Sequence, residues 1–340
     1  MATATVVDPG FQTTIQDGGR PGYLAKGVPP SGAQDVWSLR MANLLVGNTL
    51  PPPPLTPGDP GDAGLEMTFL GATLEFVEET VAAITGGETA ATLDGEPVPL
   101  WEAFRVPAGG VLRCAAIGPG ARAYLAVAGG FDVPLYLGSR STYVRGAQGG
   151  MNGRPLRKGD RIPLGAPRAA AGELAGRRVR AEARLAFESP WVVCVVPGPQ
   201  DYLFTDEGLE VFFSADWKLS PMSDRMGFRF IGPPLALKER ADYLIRDAGA
   251  GPADIVDDCT PVGGIQVPGG IEPIAMGVEN PTAGGYAKIA TVITADFGKL
   301  GQARPHEIVH FRAVSPEDAV RIAHEQTQWA SESALERDGR

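Results

Sequence analysis

The 340-residue sequence predicts a mainly β protein with a few helices. Three observations carry that prediction. Glycine and proline are abundant, at 45 and 31 residues, and are spread along the chain rather than gathered in one tract. Such turn residues supply the backbone angles that frequent hairpins demand. Between them lie short runs rich in β-branched and aromatic residues, which is the signature of strands. Clear helix signals are few.

The elements follow in order. TLEFV near residue 75, AAITGG near 84 and RAYLAVAGGF from Arg122 to Phe131 read as strands closed by glycine turns. One helix is predicted before them, from about Asp35 to Val46. It carries Trp37, Met41, Leu44 and Leu45 on one face, has Gly47 at the C-terminal cap, and should plug one end of a sheet or barrel. The stretch TLPPPPLTPGDPGDAG reads as an exposed polyproline-like loop. GPGARA, Gly118 to Ala123, matches a dinucleotide loop only loosely. It runs into a strand, so a hairpin turn is the better expectation.

Strand patterning stops at GAPRAAAGELAGRRVRAEAR. A boundary there divides the chain into a first domain at 1–165, a linker at 166–188 and a second domain at 189–340. The second half opens with WVVCVVPGP and then a short helix capped by Thr205, with Asp206 and Glu207 in its first turn. The runs MGFRFIG, GGIQVPGG, PIAMGV and KIATVITADF are further strands. Ser315, Pro316, Glu317 and Asp318 start a helix expected to reach the middle 330s.

A formal charge of −10 and no basic block argue against a nucleic-acid surface. No apolar run is long enough to span a membrane, and no secretion signal opens the chain, which predicts a cytoplasmic protein. Cys114, Cys194 and Cys259 are odd in number and far apart, so reduced thiols are expected.

His306, Glu307 and His310 spell H-E-x-x-H. That pattern holds zinc only on a helix, where residues four apart share a face. The surrounding EIVHFRAV is strand-like, which would set the imidazoles roughly 13 Å apart. No metal is expected in this chain. Phosphate-loop and nucleophile-elbow motifs are absent, and all three histidines follow residue 305.

Polar residues concentrate instead in glycine-flanked clusters. Gln16, Asp17, Arg20, Ser31 and Asp35 form the first; Ser139, Arg140 and Ser141 the second. Ser223 and Arg225 lie in SDRMGFRF, and Gln266, Gly284, Gly285, Tyr286 and Lys288 in GGIQVPGG and AGGYAKIA. Each cluster alone suits a tight turn or a surface ion pair. Together, arginine, carboxamide and hydroxyl donors beside glycines suit a carboxylate or ureido ligand.

In this order, DPGFQTTIQDGGRPGY, GVPPSGAQD, MANLLVGN, RAYLAVAGGFDVPLYLGSRSTY, SDRMGFRFIGP and GIQVPGGIEPIAMGVENPTAGGYAKIATVITADFGKLGQARP resemble a biotin-dependent carboxyltransferase family. That family includes the carboxyltransferase domain of urea carboxylase, the second subunit of allophanate hydrolase and the C component of 5-oxoprolinase. VPPSG and PADIVDD resemble the urea-carboxylase branch, and GGYAKIATVI the 5-oxoprolinase branch.

The resemblance implies two cyclophilin-like β-barrel domains in one chain. It implies carboxyl transfer from carboxybiotin, brought by a separate carrier protein, to a urea, amide or lactam nitrogen. The implied partners are a kinase-inhibitor-like companion protein together with a biotin carrier and biotin carboxylase, or else a LamB/YcsF-like companion; a homo-oligomer is also open. On this reading Arg225, Gln266 and Lys288 are catalytic donors and Tyr286 an orienting or proton-transfer group. Arg20 is a further donor candidate, and Gln16, Asp17, Ser31, Asp35, Ser139, Arg140, Ser141, Ser223, Gly284 and Gly285 line the substrate. The alternatives are the C component of an ATP-dependent 5-oxoprolinase, with ATP used by the partner proteins, and a non-catalytic regulator that binds a kinase inhibitor protein. In the family, glycine is usual where His306 stands.

Overall fold

A computed structural model describes residues 2–53, 55–240 and 251–337. The chain is mainly β, as its turn-rich composition predicts, and it divides into two compact units. The first comprises residues 1–22, 30–187 and 327–340, and the second residues 23–29 and 188–326.

The first unit is built in layers. A six-stranded antiparallel sheet contains β1 (Thr3–Asp8), β4 (Thr73–Phe76), β6 (Thr89–Leu93), β7 (Glu96–Pro97), β9 (Val111–Ile117) and β11 (Arg161–Pro163). A five-stranded sheet runs in the order β2 (Gln12–Gln16), β3 (Gly64–Thr68), β10 (Arg122–Val127), β5 (Thr80–Gly86) and β8 (Ala103–Val106). Alternation decides what each face buries. Ala123, Leu125 and Val127 of β10 enter the core between the two sheets with Val6, Leu74, Phe76 and Leu112. Tyr124 and Ala126 face the other way and meet α1 (Val36–Leu45). Strand β10 is therefore buried on both faces, which explains its unbroken apolar run RAYLAV. Each fully buried Leu or Val there contributes about 1.5–3 kcal/mol.

Helix α1 starts as its sequence dictates. Asp35 accepts hydrogen bonds from the Ser38 amide at 3.0 Å and the Ser38 hydroxyl at 2.5 Å, and Gly47 closes the helix at φ +68°. It lies across the face of the five-stranded sheet and does not plug an end, because its Met41, Ala42 and Leu45 pack on Val81, Ala83 and Ala126. GPGARA is not a hairpin either. Strands β9 and β10 belong to different sheets, and the turn carries the chain from one to the other. Within the proline-rich loop Pro51 is buried, its carbonyl accepting from Arg40 Nη1 at 2.7 Å, while Thr56 to Asp59 are exposed.

The stretch that reads as a linker, 166–188, packs with the first unit as far as Phe187. It forms α2 (Ala171–Leu174) and β12 (Arg177–Val179), and sends Leu174, Val179 and Ala183 into the core beside α1. Three apolar side chains among alanines, glycines and charges leave little periodicity to read.

The second unit is a closed seven-stranded barrel. Its order is β13 (Trp191–Pro197), β20 (Lys288–Val292), β17 (Gly264–Gln266), β18 (Ile274–Met276), β15 (Gly227–Ile231), β14 (Trp217–Leu219) and β21 (Ile308–Ala313). The one parallel pairing, β13 with β21, closes it. Aromatic rings fill part of the interior: Phe212 stacks on Phe311 at 4.8 Å, and Phe230 meets Phe311 edge-on at 5.2 Å. Phe212 comes from α3 (Asp206–Ser214), capped by Thr205 as expected. Outside the barrel, β16 (Asp254–Cys259) and β19 (Ala283–Tyr286) make a separate two-stranded ribbon. After a 3-10 helix, α4 (Phe297–Gln302) precedes the turn into β21.

H-E-x-x-H falls on that turn and strand. His306 is exposed in the turn, and Val309 and Phe311 are buried in alternation with Ile308 and His310. Glu307 accepts from Trp191 Nε1 at 2.7 Å and from the Arg304 amide at 2.9 Å, whereas His310 Nε2 meets Asp216 Oδ1 at 2.5 Å. The three residues serve separate local contacts.

His306 adopts φ +75°, a conformation costly for any residue with a Cβ. His306→Gly should therefore stabilise the second unit by about 1 kcal/mol, seen as a melting temperature higher by roughly 2–4 °C.

The chain ends differently from expectation. Helix α5 (Pro316–Trp329), capped by Ser315, stops before the middle 330s. The chain then forms β22 (Leu335–Arg337), which pairs with β12 of the first unit. No helix among the described residues is long and apolar enough to cross a membrane.

Candidate functional site

The predicted residues fall into two groups, one in each unit. In the first unit, Asp17 is fully buried and bonded on every side. Its Oδ1 accepts from Ser139 Oγ at 2.6 Å, from Ser141 Oγ and from the Gly19 amide at 2.8 Å, while Oδ2 accepts from the Arg140 amide at 2.5 Å. Arg20 donates through Nη2 to the Ser141 carbonyl and through Nε to the Tyr136 carbonyl at 3.3 Å. Gln16 Nε2 donates to the Thr142 carbonyl at 3.1 Å. These residues lace the end of β2 to the 136–142 loop. Burial raises the Asp17 pKa, although hydrogen bonds from Ser139, Ser141, Gly19 and Arg140 oppose that rise.

The remaining predictions in this unit part company. Ser31 sits in a left-handed turn at φ +55°, two residues before the Ala33 amide that donates to the Asp17 carbonyl at 3.1 Å. Asp35 caps α1, and the Arg140 guanidinium reaches Asp132 at 2.7 Å. The Asp17 carboxylate, with four bonds already, braces the segments that donate to it.

The second unit holds a group of different character. Strands β17 and β20 set Gln266 directly opposite Lys288, beside a register break between Ile265 and Gln266. The Lys288 side chain is 1% exposed. Its Nζ forms an ion pair with Asp258 Oδ2 at 3.1 Å. Asp258 stands on β16, half exposed, and its pKa is held below the usual carboxylate value, first by Lys288 and then by the Cys259 amide. Gln200 grips Lys288 through two bonds: its Oε1 accepts from the Lys288 amide at 3.0 Å, and its own amide donates to the Lys288 carbonyl at 2.9 Å. Its Nε2 also reaches Asp258 Oδ2 at 3.4 Å.

Gln266 is buried, and its Nε2 has no hydrogen-bond partner among the described residues. A Cβ on Gly284 would lie 2.8 Å from that nitrogen, and one on Gly285 would lie 3.0 Å from Asp257 Oδ1. The ribbon glycines thus make room for the Gln266 and Asp257 side chains. Tyr286, next along β19, is partly exposed. Arg225 is linked to the group at one remove. Its Nε donates to the buried Glu279 Oε1 at 2.5 Å, and the adjoining Asn280 Nδ2 donates to the Thr260 carbonyl at 2.5 Å. Thr260 Cγ2 would in turn lie 3.2 Å from a Cβ on Gly284. Arg225 is therefore set to hold the 277–280 turn. Ser223 stands apart, accepting from the Arg229 amide at 3.0 Å in a tight turn.

Gln200, Asp258, Glu279 and Asn280 are site neighbours that sequence reasoning misses. None of the four belongs to a recognisable motif in the sequence. Among the described residues, no group of three or more His, Cys, Asp or Glu could hold a metal ion.

A closed barrel and a layered two-sheet unit give the chain a two-part, mainly β architecture. The family described as "Carboxyltransferase domain, subdomain A and B" matches residues 26–313, and the chain belongs to it. It is 35% identical to urea amidolyase of Lachancea kluyveri over 94% of its length, but spans 17% of that protein. It is likewise 35% identical to the C component of 5-oxoprolinase of Escherichia coli, with 97% of each chain covered. The crystal structure of Kluyveromyces lactis urea carboxylase superposes with a TM-score of 0.88 at 33% identity, covering 99% of this chain and 30% of that one.

Proposed function

We propose that this chain is a carboxyltransferase-type subunit that moves a carboxyl group from carboxybiotin to a urea, amide or lactam nitrogen, working with a kinase-inhibitor-like companion protein. Carboxybiotin, delivered by a separate carrier, would supply the activated carboxyl group. The observation that carries the reading is the Lys288–Gln266 pair: a buried ammonium beside a buried carboxamide N–H that has no partner among the described residues. The missing Cβ at Gly284 lets the ribbon pack against that N–H. A ureido oxygen is an acceptor for two such donors, so the residues fit the group.

In this reading Lys288 and Gln266 hold the oxygen on which negative charge gathers as the carboxyl group departs. Donors fixed in a poorly solvated site stabilise such charge far more than water would. Tyr286, exposed on the ribbon, would relay the proton lost by the acceptor nitrogen to the ureido group that has given up its carboxyl. Arg225 acts through Glu279, as a positioning residue.

The test is reconstitution with the kinase-inhibitor-like companion and a carboxylated biotin carrier, using labelled bicarbonate and following label into urea or 5-oxoproline. Labelled N-carboxylated product is the expected result. Turnover of 5-oxoproline that needs ATP but no biotin would overturn it in favour of the second reading, a 5-oxoprolinase component. End-to-end correspondence with the Escherichia coli 5-oxoprolinase chain favours that alternative.

A further inference from the structure

Lys288 presents a problem that its neighbours answer. A buried ammonium that loses its only counter-ion is destabilised by several kcal/mol. Among the described residues, Asp258 is its one carboxylate. Asp258 has few ties beyond that pair: Nζ and Oδ2 are 3.1 Å apart, and the Gln200 tether to Asp258 is long, at 3.4 Å. Lys288 itself is held firmly, since Gln200 bonds both its amide and its carbonyl.

Asp258 is also the movable partner. Its side chain is 45% exposed, whereas that of Lys288 is 1% exposed. It rides on the β16–β19 ribbon, which is separate from the barrel and breaks register between Asp254 and Asp258. A two-stranded ribbon is only marginally stable on its own. The third contact of Asp258, from the Cys259 amide at 2.7 Å, is to its own neighbour and travels with it.

We propose that Asp258 is a displaceable counter-ion that occupies the place of an incoming carboxylate or carbamate at Lys288, and that Gln200 is the positioning residue that keeps Lys288 still during the exchange. The inference rests on the reading that Lys288 faces ligand. One anion replaces another, so the ammonium stays paired throughout and no proton needs to move. A neutral ligand could not make the exchange, because it would leave the ammonium buried without a counter-charge. The site thereby selects ligands that bring a negatively charged oxygen.

The experiment uses the isolated full chain, without carrier, biotin or partner, and acetate as the probe. Binding is read from the Lys288 Cε and Nζ resonances in a lysine-labelled sample, assigned by their loss in Lys288→Met. Removing the competing carboxylate in Asp258→Asn should tighten acetate binding about tenfold relative to the wild-type chain. Asp258→Ser should do the same, which guards against a folding defect peculiar to one variant. Gln200→Leu should weaken acetate binding in both the wild-type and Asp258→Asn chains by freeing Lys288. Unchanged or weaker binding in both Asp258 variants, or no binding by any of these chains, would overturn the exchange. If both Asp258 variants bind acetate more tightly while reconstituted carboxyl transfer fails, the exchange stands and the transferase reading falls. The reverse pair of results removes the exchange alone.

Discussion

Lys288→Met is expected to lower carboxyl transfer by about a thousandfold while the chain remains folded. Loss of one fixed donor to developing negative charge typically lowers turnover by about 10²–10³, and this donor also carries the charge. Methionine matches the buried stem in length and removes the ammonium. Asp258 is left without its partner, but it is half exposed and water can solvate it. Removing one partner of an ion pair is costly when the charge left behind is buried, and here it is not. Single-turnover transfer and a thermal melt on the same preparation check both halves. A fall in turnover with an unchanged melt supports a role for Lys288 in the reaction; full turnover removes it from the site.

Asp17→Ala should have a comparably large effect on stability and none that is specific to turnover. The substitution leaves the Ser139 and Ser141 hydroxyls and the Gly19 and Arg140 amides without their buried acceptor. Hydroxyls can rotate toward other acceptors; backbone amides cannot. The loss amounts to about 3–5 kcal/mol, a melting temperature lower by roughly 10 °C for a unit of this size. The pH dependence has a definite sign. Burial raises the Asp17 pKa, so the folded chain holds that proton more tightly than the unfolded chain does, and the ionisation of Asp17 itself detracts from stability as pH rises through the folded-state value. The wild-type minus variant difference in unfolding free energy should therefore shrink across that range.

Much of this architecture is legible in the sequence, for physical reasons. The cap at Asp35, the glycine after α1, and the Thr205 and Ser315 helix starts are local signals that tertiary packing leaves intact. The strand reading of the His310 segment rests on β-branched and aromatic content together with the absence of a cap. The failures have reasons as specific. GPGARA has the composition of a tight turn, and composition does not tell a hairpin from a passage between sheets. The segment after Gly165 buries only a few apolar side chains, so its packing leaves almost no pattern. At the site, Gln266 and Lys288 can be nominated from their glycine-rich surroundings. Gln200 and Asp258 cannot, because strands distant in sequence bring them there.

The pairing of β12 with β22 also bears on how the chain is made. A ribosome completes every strand of the barrel before it releases Leu335 to Arg337, the last strand of the other unit. Until then Val179 and Ala183 lack Ala334 and Leu335, their neighbours in that apolar cluster. The first unit is thus complete only once the C-terminal segment has emerged, and a fragment stopped at residue 187 would keep that flank open to water.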